Sequence, residues 1–289
     1  MIERFKSIVV GRGMMGAAAA RYLALSGEGV AVIGPDEPKD WSSHHGVFAS
    51  HYDEARITRT IDSNPIWARL ANRSIARYGQ IAAESGIAFY DEVGCLIVGP
   101  KRGGRDPYVG QVEAAARELG VSVEMLSDAA LKSRFRYFDF GSDCEGVYEQ
   151  RNAGYLNPRR LVEAQSLLAE LAGARVIRQT VVSVREEGGL AIVTTDDGAV
   201  YSAERVLIAA GGFSINENLL PRPVDLKVYA RTVAFFEVPD EDLAAYFGMP
   251  SLIHQPADPT DHIYLLPPVR YPDGKTYLVH LMGRPTTQK

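Results

Sequence analysis

Ser7-Ile8-Val9-Val10-Gly11-Arg12-Gly13-Met14-Met15-Gly16 runs from a short β-branched segment into a Gly-X-Gly-X-X-Gly turn. The Ala- and Leu-rich stretch from Ala17 to Leu25 follows, with Ser26-Gly27 as a stop, and then Val30-Ala31-Val32-Ile33. Two apolar runs without alternation fit strands buried on both faces, and the segment between them has helical periodicity. Strand, glycine turn, helix and strand make a right-handed βαβ crossover with both strands parallel in one sheet. In such a unit Gly11 permits the tight turn, Gly13 lets the backbone approach a diphosphate, and Gly16 lets helix and strand pack closely. The amides around Met14 and Met15 open the helix and offer unpaired N–H groups and a positive dipole to an anion.

An acidic side chain at the end of the second strand would complete a ribose contact. Gly34 stands there instead, followed by Pro35, Asp36 and Glu37. Asp36 is the candidate substitute, and a solvated turn residue is the plainer reading of the same aspartate. No Arg or Lys stands at the strand end to favour a 2′-phosphate.

The rest of the chain sets bounds. At 289 residues, 46% hydrophobic and 23% charged, it has the composition of a globular protein large enough for two interleaved domains. A formal net charge of −5 supplies no basic field for a nucleic acid. Cys95 and Cys144 lack metal-ligand or disulfide-framework spacing and read as two buried thiols. The N-terminus has no signal-peptide core and no apolar run is long enough to span a membrane, which predicts a cytoplasmic protein. Helices are expected over Asn64–Ser85, Tyr108–Leu119 and from Asn157-Pro158 to Leu171. Strands are expected over Gly94–Gly99, Arg175–Val184, Leu190–Thr195, Val206–Ala210, Val228–Glu237 and Ile263–Pro267.

Several further stretches carry a resemblance: Ser43-His44-His45-Gly46, Arg56-Ile57-Thr58-Arg59, Gly94 through Pro100, Ala153 through Pro158, Thr180-Val181-Val182 and Ala210-Gly211-Gly212. Together with the glycine turn they resemble the flavin-dependent amine oxidases of the D-amino acid oxidase superfamily, in particular its sarcosine and N-methyltryptophan oxidase branch. The resemblance implies a mixed α/β fold: an FAD-binding Rossmann-like βαβ domain of the glutathione-reductase type, with an interleaved antiparallel-sheet substrate domain. It places the FAD-binding domain at 1–85 and 145–220 and the substrate domain at 86–144 and 221–289. FAD is the implied cofactor, held by Gly11, Gly13, Met14, Met15, Gly16, Asp36, Ser43, His44, Val182 (through its backbone), Ala210 and Gly211. The implied catalytic residues are His45 and Arg56 near the flavin ring and Arg59 on the substrate carboxylate.

The activity implied is oxidation of the C–N bond of an amino acid or secondary amine, with dioxygen as acceptor and imine and hydrogen peroxide as products. Nucleic acid and membrane are not expected partners. Family members continue past residue 289 with a segment that completes the FAD site, so a truncated, catalytically inactive nucleotide-binding module is the alternative. An NAD-dependent dehydrogenase is a third reading, disfavoured by the antiparallel layer. An inserted Val47–Glu54 segment separates His45 from Arg56. Val279 falls near the position of the family's oxygen-activating lysine, and Leu265 falls where a tyrosine is usual, with Tyr264 adjacent.

Overall fold

Ile8, Val9 and Val10 are almost wholly buried because the strand Glu3–Val10 has a neighbour on each edge and a layer on each face. In the computed structural model, which describes residues 2–222, 224–229, 232–258 and 262–282, this strand pairs in parallel with Val30–Ile33 on one side and Val200–Ile208 on the other. Arg175–Ile177 continues the parallel set beside Val30–Ile33. Leu190–Thr195 and Val181–Glu187 extend the opposite edge antiparallel, giving a six-stranded sheet.

Alternation divides its core. Val9, Val30 and Val32 pack with Ala20, Ala24 and Ala169 of the helices Met14–Ser26 and Pro158–Leu171. Ile8, Val10, Ala31 and Ile33 face the other side, with Ile177, Val193, Ala203 and Leu219. Each such fully buried aliphatic side chain contributes about 1.5–3 kcal/mol. The alanines keep the helix surfaces small. Between the helices Arg21, 3% exposed, donates to Gln165 at 3.4 Å and to Glu84 at 3.1 Å.

Two compact units make up the chain, each from three segments: residues 1–53, 80–89 and 158–228, and residues 54–79, 90–157 and 229–289. Residues 54–79 and 145–157, which the sequence assigns to the cofactor domain, pack in the second unit, whereas 86–89 and 221–228 pack in the first. Strand pairing accounts for the larger shift. Arg56–Thr58 pairs with Gly154–Leu156, which in turn pairs with Tyr90–Asp91, so two of the quoted motifs meet in one three-stranded sheet.

The second unit also holds an eight-stranded, mainly antiparallel sheet. Its order is Val233–Glu237, Thr276–Met282, Ile263–Leu265, Ser251–His254, Cys95–Pro100, Cys144–Glu149 and Glu124–Ser127, with Val269–Arg270 paired to Thr276–Met282. Helix Tyr108–Glu118 covers one face through Val109, Val112 and Ala116, which meet Cys95, Ile97 and Ile253. Helix Asp128–Arg134 brings Leu131 to the other face, against Leu96, Val98 and Leu252.

Three expected elements differ. Arg175–Val184 is two strands at opposite edges of the first sheet, because Thr180 turns the chain by exchanging bonds with Asp196: its N–H donates to the carboxylate at 3.1 Å and its carbonyl accepts at 2.9 Å. Asn64–Ser85 is two helices, Pro65–Ile75 and Tyr78–Ser85, the first capped by the Asn64 side chain accepting from Ile66 and Trp67. Only Val233–Glu237 of the expected strand from Val228 is a strand, and Ala230 and Arg231 lie outside the described residues, as do Gly283–Lys289. Cys95 and Cys144 are both free and buried.

Candidate dinucleotide-binding site

The three glycines of the first turn are glycine for two different reasons. At Gly11, φ is +100° and a Cβ would lie 2.4 Å from the Ala209 carbonyl oxygen; at Gly16 a Cβ would lie 1.8 Å from the carbonyl oxygen of Gly11. Both positions are closed by the chain's own main chain. Gly13 is not: its φ is −78°, and among the described residues a Cβ there would meet only His51 Nδ1, at an ordinary contact of 3.6 Å. Nothing in the protein's own packing demands glycine at this position.

Gly13 is the N-cap of helix Met14–Ser26, without a side-chain cap and with no acid in the first turn. The amides of Met14, Met15 and Gly16 are therefore first-turn donors of the kind that bind anions. The side chains beside them leave room, Met15 being 79% exposed. On the other flank the Ala209 N–H donates to Val10 at 2.7 Å, and Ala210 caps a 3-10 turn that begins at Gly211, where φ is +57°.

Gly34, at the end of the second strand, has no room for a side chain. A Cβ at position 34 would lie 2.8 Å from both the backbone nitrogen and the Cβ of Arg12, so the glycine turn crosses where that side chain would begin. The nearby carboxylates face guanidinium groups. Asp36 pairs with Arg12 and, at 3.4 Å, with Arg178. Glu37 takes a two-pronged pair from Arg159, both bonds 2.8 Å. A cavity of about 370 Å³ in the same unit is lined by Arg12, Glu37, His51, Tyr52, Arg159 and Arg178.

Val182 is 39% exposed and lies in a β-bulge: Val181 pairs with Thr195 and Ser183 with Thr194, so Val182 has no partner in the register. A bulge leaves the extra residue outside the ladder, which suits a backbone contact to a ligand. Ser43, by contrast, is turned to a local task, donating to Asp40 at 2.6 Å, and with Ser42 it holds that carboxyl down to about 2. His44 Nε2 bonds the Val47 carbonyl at 2.9 Å, and His45 is exposed.

Sequence reading did not single out His51. It lies in the segment between the motifs, and its Nδ1 is buried with no hydrogen-bond partner among the described residues. Burial pulls its pKa down to about 4, Arg12 and Arg159 acting the same way and Glu37 opposing them. No residue pattern in the chain marks a lone histidine as one that folds back over the glycine turn.

Arg56 and Arg59 belong to the second unit. Arg56 Nη1 donates to the Ala55 carbonyl at 3.1 Å. Arg59 pairs through Nη2 with Asp62, while its Nε is buried and has no hydrogen-bond partner among the described residues. Its charge reaches Tyr108 and His262, whose pKa is lowered by burial first and Arg59 second. His262 stacks on Tyr264 with ring centroids 4.7 Å apart. Alternation along Ile263–Leu265 puts Tyr264 on the face of Cys95 and Ile97, and Leu265 on the opposite face with Leu96 and Val98. Val279 packs with Ala55, Leu266 and Val269 in an apolar cluster.

Glu149, 1% exposed, was also not anticipated. It accepts from the Thr60 N–H at 3.1 and 3.3 Å and from the Thr60 hydroxyl, yet burial raises its pKa to about 7 against those bonds and Arg59. A cavity of about 680 Å³ in the second unit is lined by Glu92, Arg151, Tyr155, Tyr246, Phe247 and Pro267 among others, and by neither candidate arginine.

A βαβ unit with an uncapped glycine turn, together with a unit built on a mainly antiparallel sheet, makes a dinucleotide-binding type of fold. Residues 6–284 match the family described as FAD dependent oxidoreductase, and the chain belongs to it. It is 27% identical to the monomeric sarcosine oxidase of Bacillus sp. (strain B-0618) over 241 residues, 82% of this chain and 59% of that protein. It is also 27% identical to the N-methyl-L-tryptophan oxidase of Yersinia pestis (strain Pestoides F) over 221 residues, 75% of this chain and 56% of that one. The match therefore spans less than two thirds of these relatives' length. The L-proline dehydrogenase from P. horikoshii shares the fold with a TM-score of 0.74 at 18% identity, covering 100% of this chain and 73% of its own. NikD, an unusual amino acid oxidase essential for nikkomycin biosynthesis, gives 0.69 at 21%, covering 99% and 73%. No helix among the described residues is long and apolar enough to cross a membrane.

The turn fits the diphosphate of FAD on two counts: among the described residues Gly13 is open where the chain does not need it open, and the first-turn amides are uncapped. Val182, outside its ladder, suits a backbone contact to another part of the nucleotide.

Proposed function

We propose that this chain binds FAD at the glycine turn and belongs to an oxidase acting on the C–N bond of an amino acid or secondary amine that carries a carboxylate. The observation that carries the reading is Gly13, for which packing among the described residues does not require glycine and a ligand would. When bound, FAD would supply the two-electron acceptor for the substrate's hydride equivalent, with dioxygen as final acceptor and imine and hydrogen peroxide as products.

The chain's own residues supply binding and orientation. The amides of Met14, Met15 and Gly16, with the positive end of their helix, hold the diphosphate. Asp36, Val182, Ala210 and Gly211 are the candidates for the remainder of the nucleotide, with Ser43 and His44. Arg59 is the candidate for the substrate carboxylate: its Nε is a buried donor in want of an acceptor, and a guanidinium meets a carboxylate in a planar, two-bonded geometry. His45 and Arg56 keep the roles beside the flavin that the family resemblance gives them, Arg56 balancing negative charge.

A second reading, a nucleotide-binding module without turnover, is favoured by Val279. Val279 itself, at the position of the family's lysine, packs in an apolar cluster with Ala55, Leu266 and Val269. Flavin absorbance separates the two. A purified chain that is yellow, and that bleaches when sarcosine or another N-methyl amino acid is added without oxygen, supports the oxidase. A yellow chain that does not bleach supports the module, and a colourless one that added FAD cannot colour removes both.

A further inference from the structure

We infer that His51 is a third element of the diphosphate cradle, its imidazole Nδ1–H donating to a diphosphate oxygen of the dinucleotide held at the glycine turn. The inference rests on the FAD reading of the first unit and assigns to it a residue outside the glycine motif.

Geometry carries it. The direction in which Gly13 lacks a side chain is the direction from which a diphosphate comes closest, and the polar atom met there is His51 Nδ1, 3.6 Å from the Cβ position. That nitrogen is buried and has no partner among the described residues, a rare state for a polar atom in a folded chain and one that a phosphate oxygen relieves. Nearby charges are already engaged: Arg12 by Asp36 and Arg159 by Glu37. The ring is held in place by edge contact with Tyr52, centroids 4.5 Å apart, and by the turn in which the Asp53 N–H donates to the His51 carbonyl at 2.8 Å.

A consequence follows for protons. The groups facing the imidazole are Arg12 from the glycine turn, Glu37 from the loop after Val30–Ile33, Arg159 from the helix Pro158–Leu171, and Tyr52 beside it in the chain. In their company, and half-buried, the ring has its pKa pulled down to about 4 and is neutral at pH 7. A diphosphate dianion at hydrogen-bond distance favours the imidazolium and raises that value, so binding takes up protons and strengthens as pH falls.

The test is titration of FAD into the unaltered chain, His51→Ala and His51→Gln between pH 8 and pH 5.5. Flavin fluorescence gives Kd, and calorimetry in two buffers of different ionisation enthalpy gives proton uptake. The unaltered chain is expected to tighten towards low pH with net proton uptake. His51→Ala is expected to bind about ten-fold more weakly at pH 7 and without the pH slope, as for loss of one hydrogen bond to a charged group. His51→Gln keeps an N–H donor and is expected to recover part of the affinity and none of the slope. Equal affinity and slope in all three chains overturn the inference and leave FAD binding standing. Tighter binding by His51→Ala also overturns it, by making the ring an obstruction. No binding by the unaltered chain removes the FAD reading and this inference together.

Discussion

Replacing Gly13 by alanine separates a glycine kept for a ligand from one kept for the fold. The backbone at Gly13, φ −78° and ψ −166°, is open to any residue, and the new methyl would rest 3.6 Å from His51 Nδ1. Alanine is a poorer N-cap than glycine by a few tenths to about 1 kcal/mol, and the lower entropy of the unfolded chain returns about 0.4–1 kcal/mol. The FAD-free chain should therefore keep its stability within about 1 kcal/mol. Binding responds differently. A methyl facing the diphosphate holds it away from the first-turn amides, and losing one charge-assisted hydrogen bond costs about 1.5–3 kcal/mol, or about 10- to 150-fold in Kd. Gly16→Ala is the control, because its methyl would meet the Gly11 carbonyl oxygen at 1.8 Å and must displace main chain. Thermal melting of the three FAD-free chains and fluorescence titration with FAD read the two effects separately. Undiminished FAD affinity in Gly13→Ala would refute the reasoning, as would a loss of stability matching that of Gly16→Ala.

Arg59→Ala should raise KM for a carboxylated amine about ten-fold or more and change KM for an uncharged amine little; equal effects in steady-state assays would take Arg59 away from the carboxylate. Glu149 has a folded pKa raised from 4.5 to about 7, so the stability linked to its proton is present below pH 4.5 and is lost as pH rises through about 7. Glu149→Gln keeps an acceptor for Thr60 and cannot ionise, so it should melt above the unaltered chain at pH 8 by the equivalent of about 1–3 kcal/mol and show a flatter profile between pH 5 and pH 8. Parallel melting profiles would place the titration elsewhere.

What the sequence made legible is what neighbouring residues determine. Strand, turn, helix and strand over residues 3–33 form from contiguous segments whose periodicity and glycines are visible without tertiary information. The break between Ile75 and Tyr78 was not visible, since no glycine or proline marks it; Arg77 closes a tighter turn onto the Ser74 carbonyl at 3.0 Å. Short strands were hidden for another reason. Arg56–Thr58 and Gly154–Leu156 are three residues each, too few for a period, and exist because they pair across a long stretch of chain, in the register of Arg56 with Leu156 and Thr58 with Gly154. In the site, the glycines announced themselves, and so did the absence of an acid at Gly34. The partners Arg12–Asp36 and Glu37–Arg159, and the return of His51 to Gly13, depend on where loops travel, which no local pattern encodes.

The register of Ile8 with Val206 and Val9 with Leu207 has a bearing on how the polypeptide is made. A ribosome delivers the opening strand long before its partner, so one flank of an apolar ribbon waits, with unpaired amides and carbonyls, while most of the chain is synthesised. Unpaired ribbon edges of this kind are templates for wrong association, and late, long-range parallel pairing is slow. Nascent chains halted before residue 200 should therefore depend on chaperones for solubility, and that dependence should ease once Val200–Ile208 has emerged.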